Sequence, residues 1–148
     1  MSDKTIQIEL VQQHDYRFDV HFGGDMPVVT TDEPAPLGTG LGPSPVQLLC
    51  AAVGNCLSDS LLFALRKFKQ APEPINCKVQ AEVGRNADNR LRVLKITAAL
   101  TLGVPGAGLE HLDRVLESFE QYCTVTQSVG QGIAIETQVF DSTGQRLK

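Results

Sequence analysis

The sequence contains no tryptophan, two tyrosines and six phenylalanines in 148 residues, and no excess of basic charge. A core without large aromatics has to be aliphatic, and a chain of this length can bury one without disulfides or metal. The net charge of −4 excludes a general nucleic-acid binder, which needs basic surface to displace phosphate counterions. The basic cluster RKFK at Arg66–Lys69 reads instead as a helix end, where cations suit the negative pole of the dipole. No apolar run reaches the ~20 residues of a membrane span. The longest, Leu48–Leu57, is broken by Asn55, so no membrane partner is expected. The opening MSDKTIQIEL lacks the apolar run and cleavage-type tail of a signal peptide. The expected compartment is therefore the cytoplasm, where four cysteines do not make a lasting disulfide framework.

Motifs for common chemistries are also missing. The sequence has no CxxC, HxxxH, GxxxxGK[ST] or GxSxG pattern, and His14, His21 and His111 are scattered. Zinc, phosphate-loop and serine-nucleophile readings therefore have no support, and no cofactor is expected.

What is present is alternation, then a long apolar helix, then alternation again. TIQIEL puts Ile6, Ile8 and Leu10 on one face, and YRFDVHF does the same with Tyr16, Phe18, Val20 and Phe22. Period two predicts strands, with QQHD as the turn between them and PVVTTD as a short third strand. EPAPLGTGLGPSP, dense in Gly and Pro, is a loop. It ends in Ser44-Pro45, an N-cap followed by a proline in the first helical turn. The helix then runs to roughly Phe68, where its amphipathic last third gives way to QAPEP. INCKVQAEV aligns Ile75, Cys77, Val79, Ala81 and Val83, and RNADNR turns the chain. LRVLKITAAL places Leu91 and Val93 on one face and Leu94, Ile96, Ala98 and Leu100 on the other. Helical spacing of Leu109, Leu112, Val115, Leu116 and Phe119 predicts a helix over 109–122. A shorter helix starts at Cys123, and GIAIETQVF forms a last strand.

Hairpins interrupted by helices predict one α+β domain over residues 1–148 with a mostly antiparallel sheet. The first helix carries no charge between Val46 and Leu57. A helix apolar on all sides should be buried on all sides, yet one sheet covers one side. The expectation is a homodimer, with a second copy covering the rest.

The four cysteines divide into two kinds. Cys50 and Cys77 sit among aliphatic neighbours and read as core packing, where a free thiol behaves as a small hydrophobe. Cys56 follows Gly54-Asn55 and precedes Ser58, Asp59 and Ser60, where the helix turns polar. Cys123 stands at a helix start, where unsatisfied N–H groups and the dipole favour a thiolate. From residues alone, Cys56 and Cys123 stay open between inert packing and a reactive pair.

TDEPAPLGTGLGPSPVQLLCAAVGNC (Thr31–Cys56) together with YCTVTQSV (Tyr122–Val129) resembles the OsmC/Ohr family, with matching element order over almost the whole chain. The resemblance implies an OsmC-like fold, an intertwined homodimer with active sites at the subunit interface, and a cysteine-based peroxidase for organic hydroperoxides. Cys56 would then be the attacking thiol and Cys123 the resolving one. Arg17 would be the cation that stabilises the thiolate, and a dithiol would be the reductant. Pro45, Val46 and Gln47 at the helix start would contact the substrate.

The sequence departs from that pattern where active peroxidases carry Pro-Glu at the helix start. Here Val46 takes the Glu position, and Gln47 is left to hydrogen-bond an Arg without charge. Thr124 follows Cys123 in place of the family's Pro or Ser. Both features lean toward the YhfA-like branch. Asp59, three residues beyond Cys56, is a carboxylate that would raise the thiol pKa; Thr124, Thr126 and backbone N–H groups would oppose it. The alternative reading is a non-catalytic dimer holding an apolar ligand at the subunit interface. A dimer with inert thiols is the third.

Overall fold

The computed structural model describes residues 2–148, which divide into two compact units, 2–48 and 49–148. In the first, β1 (Glu9–His14), β2 (Arg17–His21) and β3 (Val29–Thr31) form an antiparallel sheet in that order. β1 begins at Glu9, so Ile6 and Ile8 precede it and are exposed. The turn is Asp15-Tyr16 rather than QQHD, because His14 already pairs with Arg17. Asp15 takes φ 48° there, a left-handed conformation that short polar side chains tolerate. Thr30 Oγ1 donates to Asp19 Oδ1 across the β2–β3 pair at 2.8 Å.

α1 (Pro45–Lys67) opens with a reciprocal cap. The Gln47 N–H donates to Ser44 Oγ at 3.3 Å, and the Ser44 N–H donates to Gln47 Oε1 at 2.9 Å. Two donors that the first helical turn leaves orphaned are thereby satisfied. At the other end Lys69 sits at φ 58°. The Lys69 N–H bonds to the Arg66 carbonyl and the Gln70 N–H to the Leu65 carbonyl. Those two bonds close the helix in the Schellman pattern.

In the second unit, β4 (Asn76–Arg85), β5 (Leu91–Thr101) and β6 (Ala134–Phe140) form the sheet β4-β5-β6. β4–β5 is an antiparallel hairpin and β5–β6 is parallel. A parallel neighbour needs a crossover, and residues 102–133 supply it. They hold α2 (Leu112–Ser118), a 3-10 turn over Phe119–Tyr122, and α3 (Thr124–Val129). The helix expected over 109–122 is thus shorter. His111 precedes it at φ 59°, which is incompatible with helix, and Leu109 packs on the core from outside the helix.

One face of α1, carrying Val53, Leu57, Leu61 and Leu65, packs with Ile96, Ala98 and Leu100 of β5, Val139 of β6, Val115 and Phe119. The i, i+4 spacing of the four α1 residues is one stripe of a helix. α1 is long and apolar enough to cross a membrane by length and composition alone, which corrects the expectation that no stretch qualifies. Its buried stripe gives a physical reason for that apolarity.

The expected faces of β5 need one correction. Glu82 pairs with Lys95 but Val83 pairs with Val93, so Leu94 is an extra residue bulged out of the ladder. Leu94 is 47 % exposed and lies over Gly84, where a Cβ would come within 2.6 Å of it. The bulge shifts the alternation, and Val93 packs on the core cluster that also holds Ile96.

Gly54 lets α1 approach β4. A Cβ there would meet Val79 Cγ2 at 2.6 Å and Cys77 Sγ at 3.4 Å. Overpacking a tight contact costs about 1–3 kcal/mol, more than the ~1 kcal/mol that Ala gains over Gly in a helix. Gly54→Ala is therefore expected to lower stability by about 1 kcal/mol in urea unfolding. An unchanged or raised midpoint would mean that Val79 yields freely.

Asp141, 2 % exposed, ties the end of β6 to the loop before α2. It accepts the Gly106 N–H at 2.9 Å, and Thr143 and Gln145 also donate to it. These bonds, the one from Gly106 foremost, hold its carboxyl down to about 2 from an ordinary 3.8. A carboxyl depressed by folding stabilises above its unfolded pKa, and the stabilisation fades as pH falls through the folded value. Asp141→Asn should lower the urea midpoint clearly at pH 7, and the gap to the parent chain should shrink between pH 4 and pH 2.

Candidate functional site

Cys56, half-buried, projects from the middle of α1. Its phase is set by the buried stripe, since Leu57 next to it is fully enclosed. Cys123 is fully buried and is the cap residue of α3. The two belong to one unit, and the fold brings their side chains together as interacting neighbours. All four cysteines are free thiols.

The helix-start N–H groups serve a different thiol from the one expected. Cys123 makes no side-chain cap bond, and its Sγ–H donates to Thr126 Oγ1 at 2.8 Å. The N–H groups of Val125 and Thr126 instead favour the charged form of Cys56. Burial pushes the Cys56 thiol above its ordinary value of 9.0, and Cys123 adds to the rise. The two N–H groups pull the other way, because they stabilise the charged form. Asp59 is turned to Asn55, whose Nδ2 donates to Asp59 Oδ2 at 2.8 Å. Burial and Cys123, rather than that carboxylate, lead the rise.

Cys77 and Cys50 are both half-buried thiols raised by burial. Cys77 packs on the core, as its aliphatic neighbours predict. Among the described residues no three His, Cys, Asp or Glu side chains are grouped as metal ligands.

Arg17 belongs to the first unit. Its Nη2 donates to Thr39 Oγ1 at 3.0 Å, and its Nε lies 3.8 Å from Asp32 Oδ2. Thr39 Oγ1 in turn donates to Asp32 at 2.7 Å. Asp32, 3 % exposed, also accepts the N–H groups of Glu33, Thr39 and Leu41. The Thr39 hydroxyl is the largest influence holding its carboxyl below the usual range. The Gly- and Pro-rich loop is closed around this carboxylate. A side chain at Gly38 would collide with the Glu33 carbonyl oxygen, and one at Gly42 with that of Thr30. Arg17 Nε is buried and has no hydrogen-bond partner among the described residues.

Gln47 does not have a free carbonyl to offer an arginine, since its Oε1 is taken by the Ser44 N–H. It lines a cavity of about 520 Å³ with Pro34, Gly40, Gly42, Pro43 and Ser44. Pro45, exposed, and Val46, half-buried, are not among that lining. The roles of Asp32 and Thr39 went unread in the sequence. The available signal was an acidic residue at the mouth of a Gly-rich loop, with Thr39 inside it.

The model of the OsmC-like protein family matches residues 38–138. Solved structures share the fold at low sequence identity. An OsmC-like protein of Vibrio cholerae superposes with a TM-score of 0.78 at 15 % identity, over 93 % of this chain and 99 % of that one. An OsmC-like protein of Mycoplasma pneumoniae gives 0.77 at 16 % identity, over 95 % and 99 %. An organic hydroperoxide resistance protein of Elizabethkingia anophelis gives 0.75 at 15 % identity, over 95 % and 99 %. No curated protein sequence matches significantly. The family match covers more than half of the chain and takes in both Cys56 and Cys123, and on it the chain belongs to the OsmC-like protein family.

Proposed function

We propose that this chain reduces organic hydroperoxides by thiol chemistry, with Cys56 as the attacking thiolate and Cys123 as the resolving thiol. The observation that carries the reading is that these two free thiols are interacting neighbours, with the N–H groups of Val125 and Thr126 favouring charge on Cys56. The organic hydroperoxide resistance protein among the fold relatives supports it. The Cys56 thiolate attacks the terminal oxygen of ROOH; the O–O bond breaks, and RO⁻ takes a proton and leaves as the alcohol. Cys56 is now a sulfenic acid. Cys123 condenses with it, water departs, and a Cys56–Cys123 disulfide remains. An external dithiol reduces that disulfide and is itself oxidised.

Burial leaves Cys56 a weak nucleophile at neutral pH, because only the thiolate attacks. Arg17, held by Asp32 and Thr39 within its own unit, is the cation we assign to assist it. The active form is taken to be a homodimer, a reading supported by the exposed small residues Ala51 and Ala52 on α1. Val46 at the acidic position supports the YhfA-like branch.

One equivalent of cumene hydroperoxide added anaerobically to reduced protein should remove two thiols, and peptide mapping should find them as Cys56–Cys123. In Cys56→Ser all remaining thiols should persist. In Cys123→Ser one thiol should be lost, with a dimedone-reactive sulfenic acid left on Cys56. Persistence of all four thiols in the parent chain would overturn the mechanism and favour an apolar ligand in its place.

The rate of Cys56 alkylation should climb with pH through and beyond 9, the ordinary thiol value above which Cys56 is raised. In Cys123→Ala the inflection should move down, because that neighbour's contribution to the rise is gone. An inflection near pH 7 in the parent chain would contradict the burial argument.

A further inference from the structure

Two turns beyond Cys56 on α1, the second unit holds a different kind of cavity. It measures about 130 Å³ and lies between the last turns of α1 and the segment from Arg114 to Tyr122. Phe63, Phe68 and Tyr122 wall it, Val115 closes its floor, and Lys67 and Arg114 stand at it. Phe63 and Tyr122 are 61 % and 66 % exposed.

The charges are more telling than the rings. Lys67 Nζ sits 5.6 Å from the Phe63 ring centroid and 5.9 Å from that of Tyr122. The Arg114 guanidinium sits 5.9 Å from the Phe68 centroid, and Phe68 stacks on His111 at 4.7 Å. Arg66, the neighbour of Lys67, is neutralised by Glu73. Neither Lys67 nor Arg114 forms an ion pair among the described residues. Two cations without counterions therefore share one small aromatic-walled cavity.

We infer that this cavity is a binding site for a small aryl carboxylate. A hole of about 150 Å³ holds one benzene ring, so about 130 Å³ with an open side admits a single ring and little more. Ring faces and edges of Phe63 and Tyr122 suit offset or edge-on aromatic packing. A guanidinium beside an ammonium suits a planar carboxylate, which Arg can grip with two parallel bonds. Neutral and cationic aryl compounds would leave both charges unanswered and are rejected on that ground. The site makes no use of Cys56 or Cys123 and does not depend on the peroxidase reading.

The test is ¹⁹F NMR titration of the full chain with 4-fluorobenzoate, beside 4-fluorobenzyl alcohol as the neutral shape match. The carboxylate should broaden and shift, and the alcohol should bind roughly tenfold more weakly, the scale of one hydrogen bond to a charged group. Arg114→Gln and Lys67→Gln, both at exposed positions, should each weaken 4-fluorobenzoate about fivefold or more. Cys56→Ser should bind it as the parent does, which keeps this outcome separate from that of the hydroperoxide assay. Equal binding of acid and alcohol, unchanged affinity in the double variant, or no response of the ¹⁹F signal would each overturn the inference.

Discussion

A helix can press only one face against one sheet, and α1 presses the stripe of Val53, Leu57, Leu61 and Leu65. That choice sets the direction of every other side chain on it. Cys56 falls beside the stripe rather than within it, half in and half out of the core. Residues seven and eleven further on, Phe63 and Lys67, return to nearly the same face as Cys56 and emerge into solvent. Gly54 completes the constraint by letting Val79 and Cys77 come close. The thiol site and the aromatic cavity are thus two stations along one ridge, spaced by helical geometry alone.

The chemistry at the thiols is a contest between burial and hydrogen bonding. Burial opposes a charge on Cys56, and a second thiol beside it adds to the opposition. The N–H groups of Val125 and Thr126 offset part of that. They are available because a helix start leaves its first donors unpaired. Cys123 has already committed its own hydrogen to Thr126 Oγ1. The short helix α3 thereby acts on both sulfurs, its backbone N–H groups favouring charge on Cys56 and its Thr126 hydroxyl accepting from Cys123.

Much of this architecture is legible in the sequence because its signals are periodic. The hairpin of β4 and β5, the long α1 and the final strand follow from spacing two and spacing 3.6. The meeting of the central-helix cysteine with the late one follows from the family resemblance rather than from spacing. The features that escaped are aperiodic. One residue, Leu94, slips out of the β5 ladder, and alternation read straight through it assigns the wrong faces. His111 takes a left-handed conformation that composition does not announce. Gln47 resembles a ligand contact by position, yet its carbonyl is spent on the cap. Asp32 and Arg17 are fifteen residues apart and meet only because β2 and β3 pair. Contacts of that kind depend on register, which no local pattern states.

The parallel ladder between β5 and β6 has a consequence in time. It runs from Lys95–Ala134 to Thr101–Phe140, so Cys123 lies inside the crossover that this ladder closes. Closing that ladder needs Ala134–Phe140, the last strand to be made. Non-local strand pairing of this sort forms late, and a chain emerges from synthesis in order. From residue 57 to residue 122 the growing chain carries Cys56 without its partner. The core around both sulfurs, which includes Val139 of that last strand, is complete only once the strand has docked.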